Sequence, residues 1–213
     1  MKIIDLTHTV TPGMPLYPGT KPPELTTLCT VNKNGFIEKR ISISSHTGTH
    51  MDAPAHIIPR GATLDQWPVD RFAGRASVLD LTDLKTPHIE VEILKRHGPV
   101  IKKSEFVLLY TGWSRYWGQQ KYFEGYPVLT PGAARWLVEF QLKGVGMDTI
   151  SADEANSIHL PVHNILLERD MAIIENLVHL DRLPPTDFIF CCFPLKMEDA
   201  EASPLRAVGI IFD

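Results

Sequence analysis

The chain of 213 residues is long enough for one sizeable core and short for two. Its 44% hydrophobic and 22% charged residues are those of a folded globular protein and exclude a disordered chain. A net charge of −4 without any Lys/Arg run excludes the basic stripe of a nucleic-acid binder, and no apolar run approaches the roughly 18 residues of a membrane span.

The N-terminal residues 1–5 show no signal-peptide core and enter directly into a strand, so the cytoplasm is the expected compartment. Five prolines and two glycines between residues 12 and 23 turn 11–24 into a loop, long enough to suggest a binding role. Residues 25–31 and 36–45 read as strands joined through Asn34-Gly35. Residues 76–81 and 106–111 are apolar runs between polar or glycine punctuation, and so buried strands. A helix is expected over 90–96. A stronger one starts with Thr130 as N-cap and Pro131 at the first helical position, then runs through Trp136, Leu137 and Phe140 to a stop at Gly144. A strand over 145–150, a helix from Pro161 through Leu167, and strands over 171–178, 188–195 and 206–212 complete the chain. Strands and helices mixed on one core predict a single domain over 1–213, α/β or α+β in class.

Three cysteines, one alone and two adjacent inside the apolar run Phe188-Ile189-Phe190-Cys191-Cys192-Phe193, make no disulfide framework and read as small buried hydrophobes. Trp67, Trp113, Trp117 and Trp136 read as core or rim residues. No Gly-x-Ser-x-Gly elbow and no glycine-rich phosphate loop is present, which removes the serine-hydrolase and nucleotide readings.

The chemistry concentrates in the segment from Arg40 to His56. Ile41 and Ile43 alternate with polar residues as in a half-buried strand, and the opposite parity holds His46, His50 and Asp52. A helix would swing Asp52 away from the two histidines, and Gly48 and Pro54 oppose one. An extended, bent segment therefore brings two imidazoles and a carboxylate to one point, a donor set suited to Zn²⁺, Mn²⁺ or Fe²⁺. So few protein ligands leave room for water, whose pKa such an ion lowers to around 7. His56, past the Pro54 turn, is placed beside the ion to move a proton.

Further ligands must come from elsewhere in the chain. Glu175 sits in the apolar run 171–178, where a glutamate is paired, ligating or on an edge strand facing water. His159 and His163 flank Pro161, and spacing does not choose between them. Asp148 and Asp153 flank the end of a strand, as site residues or as turn formers.

The block His46-Thr47-Gly48-Thr49-His50-Met51-Asp52-Ala53-Pro54-Ala55-His56 resembles the signature of the cyclase-like metal-dependent hydrolases, a family that includes bacterial kynurenine formamidases and isatin hydrolases. The likeness extends nearly end to end, through Asp5-Leu6-Thr7-His8, Tyr17-Pro18-Gly19, Thr111-Gly112-Trp113, Gly146-Met147-Asp148-Thr149 and Ser203-Pro204-Leu205-Arg206-Ala207. The resemblance implies an α/β, swivelling β/β/α fold with a mixed sheet and flanking helices, and a homodimer or larger oligomer. It implies metal ligation by His46, His50, Asp52, His163 and Glu175, with Asp52 able to bridge two ions, and it favours His163 over His159. His56 matches the catalytic acid/base. Zn²⁺, as one or two ions, is the implied cofactor, with Mn²⁺ the alternative. The implied reaction is hydrolysis of a non-peptide C–N bond in a small-molecule formamide or cyclic amide: activated hydroxide attacks the carbonyl and His56 protonates the departing nitrogen. A lactone or ester would use the same machinery, while a non-catalytic metal-binding sensor would bind the ion without turnover. Tyr17 stands where kynurenine formamidases carry a substrate-contacting tryptophan, and residues 153–160 also depart from those enzymes, which leaves the substrate open.

Overall fold

The computed structural model describes residues 1–212. Thirteen strands are formed among them: β1 (Lys2–Asp5), β2 (Glu24–Cys29), β3 (Glu38–Ser42), β4 (His50–Asp52), β5 (Ala73–Asp80), β6 (His88–Ile89), β7 (Phe106–Tyr110), β8 (Val128–Leu129), β9 (Gly144–Met147), β10 (Ala172–Glu175), β11 (Phe188–Cys191), β12 (Ala202–Pro204) and β13 (Val208–Ile211). Five short helices accompany them: α1 (Val31–Asn34), α2 (Val91–Lys95), α3 (Gly98–Ile101), α4 (Pro131–Leu137) and α5 (Pro161–Leu167).

Nine of the strands make one mixed sheet in the order β1-β13-β11-β5-β7-β9-β10-β4-β12. The central strands β5, β7, β9 and β10 are parallel, and the flanking pairs are antiparallel. Parallel strands need cover on both faces, so their sequences are apolar throughout. In β7, Phe106 and Leu108 join one core cluster while Val107 and Leu109 join the other. On the first face the sheet curls until its two ends meet: Leu6 donates to the Ala207 carbonyl, and Thr7 bridges to Leu177 beyond β10. Met51 and Leu205 therefore pack in the same cluster as Ile4, Phe106 and Phe190. The second face is covered by α4 and α5, whose Leu137 and Leu166 pack with Val145 and Ile173. Gly146 lies where a Cβ would come within 2.7 Å of both Leu108 and Leu177, so the tight first face excludes any larger residue there.

Several expected elements differ in extent. Thr130 caps α4 as predicted, accepting from the Ala133 N–H at 3.2 Å, but the helix ends at Leu137 instead of continuing to Gly144. The chain must return through residues 138–143 to insert β9 between β7 and β10, and Gly144 already belongs to that strand. The strand over 171–178 stops at Glu175 because Asn176 takes a left-handed backbone, φ 57°. The expected strands around Asn34-Gly35 pair as β2 and β3, but α1 fills the connection and Gly35 ends it at φ 79°. This hairpin pairs with no other strand among the described residues, and Ile41 is 62% exposed, so the half-buried face read from Ile41 and Ile43 has no cover within the chain.

Cys192 is buried and Cys191 half-buried at the end of β11, as small hydrophobes would be. No helix among the described residues is long and apolar enough to cross a membrane.

Candidate metal centre

The site lies at the carboxyl end of the parallel strands, where open α/β sheets bind ligands. β10 pairs antiparallel with β4 in the register Glu175↔His50 and Ile173↔Asp52. Directly opposed residues project to the same face, so Glu175, His50 and Asp52 converge there. Helix α5, which packs on that face, brings His163 to them. His46 arrives differently from expectation. It belongs to a turn, closed by the Thr47 N–H on the Ser44 carbonyl, and β4 begins only at His50. Gly48 makes the bend at φ 65°, where a Cβ would meet Met14 at 2.8 Å. His56 closes a short 3-10 turn that starts at Pro54.

All six groups meet around Asp52. His46 Nδ1 is 2.9 Å from Asp52 Oδ1, and His50 Nε2 is 3.4 Å from the same oxygen. His50 Nε2 lies 3.5 Å from Glu175 Oε2, and His163 Nε2 lies 3.4 Å from Glu175 Oε1 and 3.7 Å from Asp52 Oδ2. The His56 ring stands beside His46, centroids 4.3 Å apart, and 5.9 Å from His163. Two overlapping donor sets result, His46–Asp52–His56 and His50–Asp52–Glu175, with Asp52 common to both. Glu175 is 4% exposed in an interior strand, which removes the edge-strand reading.

The centre fits a divalent cation. Despite its approach to His46, Asp52 Oδ1 is buried with no hydrogen-bond donor aligned on it, and an unsatisfied buried carboxylate oxygen is costly unless a cation completes it. The donors are imidazole nitrogens and carboxylate oxygens, the set that zinc and manganese accept. Burial alone would raise Asp52, yet the charge of His50 and the close approach and charge of His46 hold its carboxyl well below the usual range. Burial likewise disfavours charge on His163, but Asp153 and Glu175 push it up to about 10, and Asp52 raises His46 in the same way. The field in this pocket thus favours positive charge. His56 is the exception: burial lowers it, with His46 and His163 adding to the effect against Asp52, so its ring is neutral at neutral pH.

The rings are also held from behind, as metal-binding histidines are. His50 Nδ1 is 2.8 Å from the Gly48 carbonyl, and His163 Nδ1 is 2.7 Å from Asp153 Oδ2. Asp153 additionally accepts from the Val162 and His163 N–H groups, which fixes the first turn of α5. Sequence reasoning left Asp153 and Asp148 equivalent. Asp148 instead accepts from Thr111 N–H and Oγ1 at 3.0 and 2.6 Å and joins two strand ends, away from the ion site. Glu201 was missed; it accepts from Ser45 and stands 3.6 Å from His46 Nε2. No local pattern around it signals this, because β12 reaches the site only by pairing with β4. His159 is exposed, and the structure does not bring it to the cluster.

The centre floors a cavity of about 240 Å³. Pro15, Leu16, Tyr17 and Thr20 of the proline-rich loop form part of its wall, with Ile150 and Leu160. The Tyr17 hydroxyl donates to the Ala155 carbonyl, tying that loop to residues 153–160. Trp113 and Trp117 pack with Tyr122 and Tyr17 in a separate aromatic cluster, and Trp67 and Trp136 pack at the rims of the two main cores.

The model of the Cyclase family matches residues 4–154. The chain is 31% identical over 207 residues to a kynurenine formamidase of Geobacillus thermodenitrificans, covering 96% of this chain and 95% of that protein. It superposes on isatin hydrolase A from Labrenzia aggregata, bound to benzyl benzoate, with a TM-score of 0.88 at 27% identity, covering 100% of this chain and 94% of the other. The structure of a predicted metal-dependent hydrolase from Bacillus stearothermophilus gives 0.80 at 30% identity, covering 98% and 97%. With the family model spanning more than half its length and similar proteins aligning nearly end to end, this chain belongs to the Cyclase family.

Proposed function

We propose that the chain is a metal-dependent hydrolase that opens a non-peptide C–N bond in a small formamide or cyclic amide. The observation that carries this reading is the convergence of imidazoles and carboxylates on Asp52 at the floor of a small cavity, with the His56 ring beside His46. The names of its relatives, kynurenine formamidase and isatin hydrolase, point to the same bond class.

His46, His50, Asp52, His163 and Glu175 would hold the metal, Zn²⁺ in first place and Mn²⁺ in second. The overlap of the donor groups at Asp52 would leave room for one ion or two. A divalent ion there supplies Lewis acidity toward a carbonyl oxygen and an acidified water near neutral pH. His56, uncharged at rest, takes the proton that the attacking water loses and returns it to the departing nitrogen. Tyr17 and the apolar wall beside it seat the rest of the substrate.

The whole chain acts as one catalytic domain, and three free cysteines suit a reducing cytoplasm. The uncovered apolar side chains of the β2–β3 hairpin support a homo-oligomer, a dimer at least.

The test is His56→Ala assayed on a panel of aryl formamides and cyclic amides. Turnover is expected to fall by roughly 10²–10⁴-fold, while elemental analysis finds the same metal content as the native protein. Near-native turnover would refute the proton-transfer role, and loss of one ion equivalent would make His56 a ligand instead.

A further inference from the structure

Asn176 follows Glu175 directly and takes no part in the assignments above, yet each of its polar groups is engaged. It is 4% exposed and sits at φ 57°, a left-handed backbone that asparagine tolerates better than most residues. Its N–H donates to the Thr149 carbonyl at 2.9 Å, and its carbonyl accepts from Thr49 Oγ1 at 2.6 Å. Its side-chain Nδ2 donates to the Gly48 carbonyl at 2.9 Å, and its Oδ1 accepts from the Tyr122 hydroxyl at 2.7 Å. Tyr122 is itself fully buried.

The Gly48 carbonyl is the group that faces His50 Nδ1. A carbonyl only accepts, and it has two lone pairs. Asn176 Nδ2 and His50 Nδ1 both approach it, so both must arrive as donors. Two consequences follow. The amide of Asn176 has one possible orientation, with Oδ1 toward Tyr122, which must donate to it. The His50 ring must carry a proton on Nδ1, which makes Nε2, facing Asp52 and Glu175, the nitrogen left to ligate an ion.

We propose that Asn176, braced by Tyr122, is a positioning residue that holds the Gly48 carbonyl in place and thereby fixes the tautomer and direction of His50. The same side chain clamps the loop 47–49 onto the end of β10, so that the two strands contributing His50 and Glu175 cannot drift apart at the site. Asparagine is required on this account, because aspartate would set a carboxylate oxygen against the Gly48 oxygen. Phenylalanine at 122 would leave Oδ1 buried without a donor.

The inference rests on the metal-site reading for its consequence, but the tautomer can be read without any ion. Asn176→Gly keeps the left-handed backbone and removes the side chain, Asn176→Asp replaces the donor with a second acceptor facing the Gly48 carbonyl, and Tyr122→Phe removes the brace. In mildly alkaline buffer, ¹⁵N spectra of the metal-free native protein are expected to show His50 as a single Nδ1–H tautomer. In Asn176→Gly and Asn176→Asp its two ring nitrogens should move toward the averaged shifts of a mixed population. Zn²⁺ titration should show a loss of affinity of about 10–100-fold in both, with a smaller loss in Tyr122→Phe. If Asn176→Asp fails to fold, the other two variants decide. Unchanged His50 shifts in Asn176→Gly and Tyr122→Phe, or native Zn²⁺ affinity in both, would overturn the proposal and leave Asn176 a backbone residue only. If the native protein binds no Zn²⁺, the metal reading fails, and the metal-free spectra still decide whether Asn176 sets the His50 tautomer.

Discussion

His163 depends on Asp153 for its direction, since one carboxylate oxygen takes both its ring Nδ1 and its backbone N–H. Asn at 153 would present an amide NH₂ to one of the three N–H groups now satisfied, loosening the ring and the first turn of α5 together. Asp153→Asn is therefore expected to weaken Zn²⁺ binding by about 10–100-fold, read by titration against a competing chelator; unchanged affinity would show that α5 alone orients the ring. Asp153 and Asp148 could not be told apart beforehand. Both follow a strand, both are acidic, and both are buried; only the packing of α5 and of the 111–114 turn sends one to a histidine and the other to Thr111. Glu175 was the reverse case. An acid inside an apolar run signals a partner unless the strand lies on an edge; β10 is interior, and its neighbour at the site, His50, is set by strand register.

The β2–β3 hairpin is the element least explained by the chain alone. A two-stranded hairpin is marginal in water without a surface to pack on, and here Leu28, Phe36, Ile37 and Ile41 are each more than half exposed. In the proposed homo-oligomer a second copy of the chain would cover this hairpin, in keeping with the frequency of symmetric dimers among oligomers. Replacing Ile37 and Ile41 by Lys is expected to lower the sedimenting mass to that of a monomer while leaving monomer stability within about 0.5 kcal/mol. A variant that sediments like the native protein would exclude the hairpin as the interface. In α4 the start was more legible than the end. Thr130 and Pro131 act through bonds within one turn, whereas the end of α4 at Leu137 answers to where β9 must enter the sheet.

At the scale of the molecule, the ion would join segments far apart in the chain: the 46–56 stretch, the start of α5 and the end of β10. Ligand binding to the native state alone stabilises it by about 2.7 kcal/mol at a free concentration one hundred times Kd. Zn²⁺ added to chelator-stripped protein should therefore raise the melting temperature reversibly, and a melt that ignores the ion would count against a metal centre in the native fold. The same span of contacts separates what the sequence by itself determined from what it could not. Residue types, and spacings within the 46–56 segment, already implied a ligand cluster, a proton carrier and a mixed α/β core, because backbone geometry over a few residues constrains where side chains point. The family resemblance already pointed to His163 and Glu175, but how the nine strands are ordered and how Asp153, Asn176 and Glu201 come to lie against the cluster were decided only by the tertiary structure. Those outcomes turn on the pairing of β4 with β10 and β12 and on the packing of α5, contacts between segments more than a hundred residues apart that no local pattern encodes.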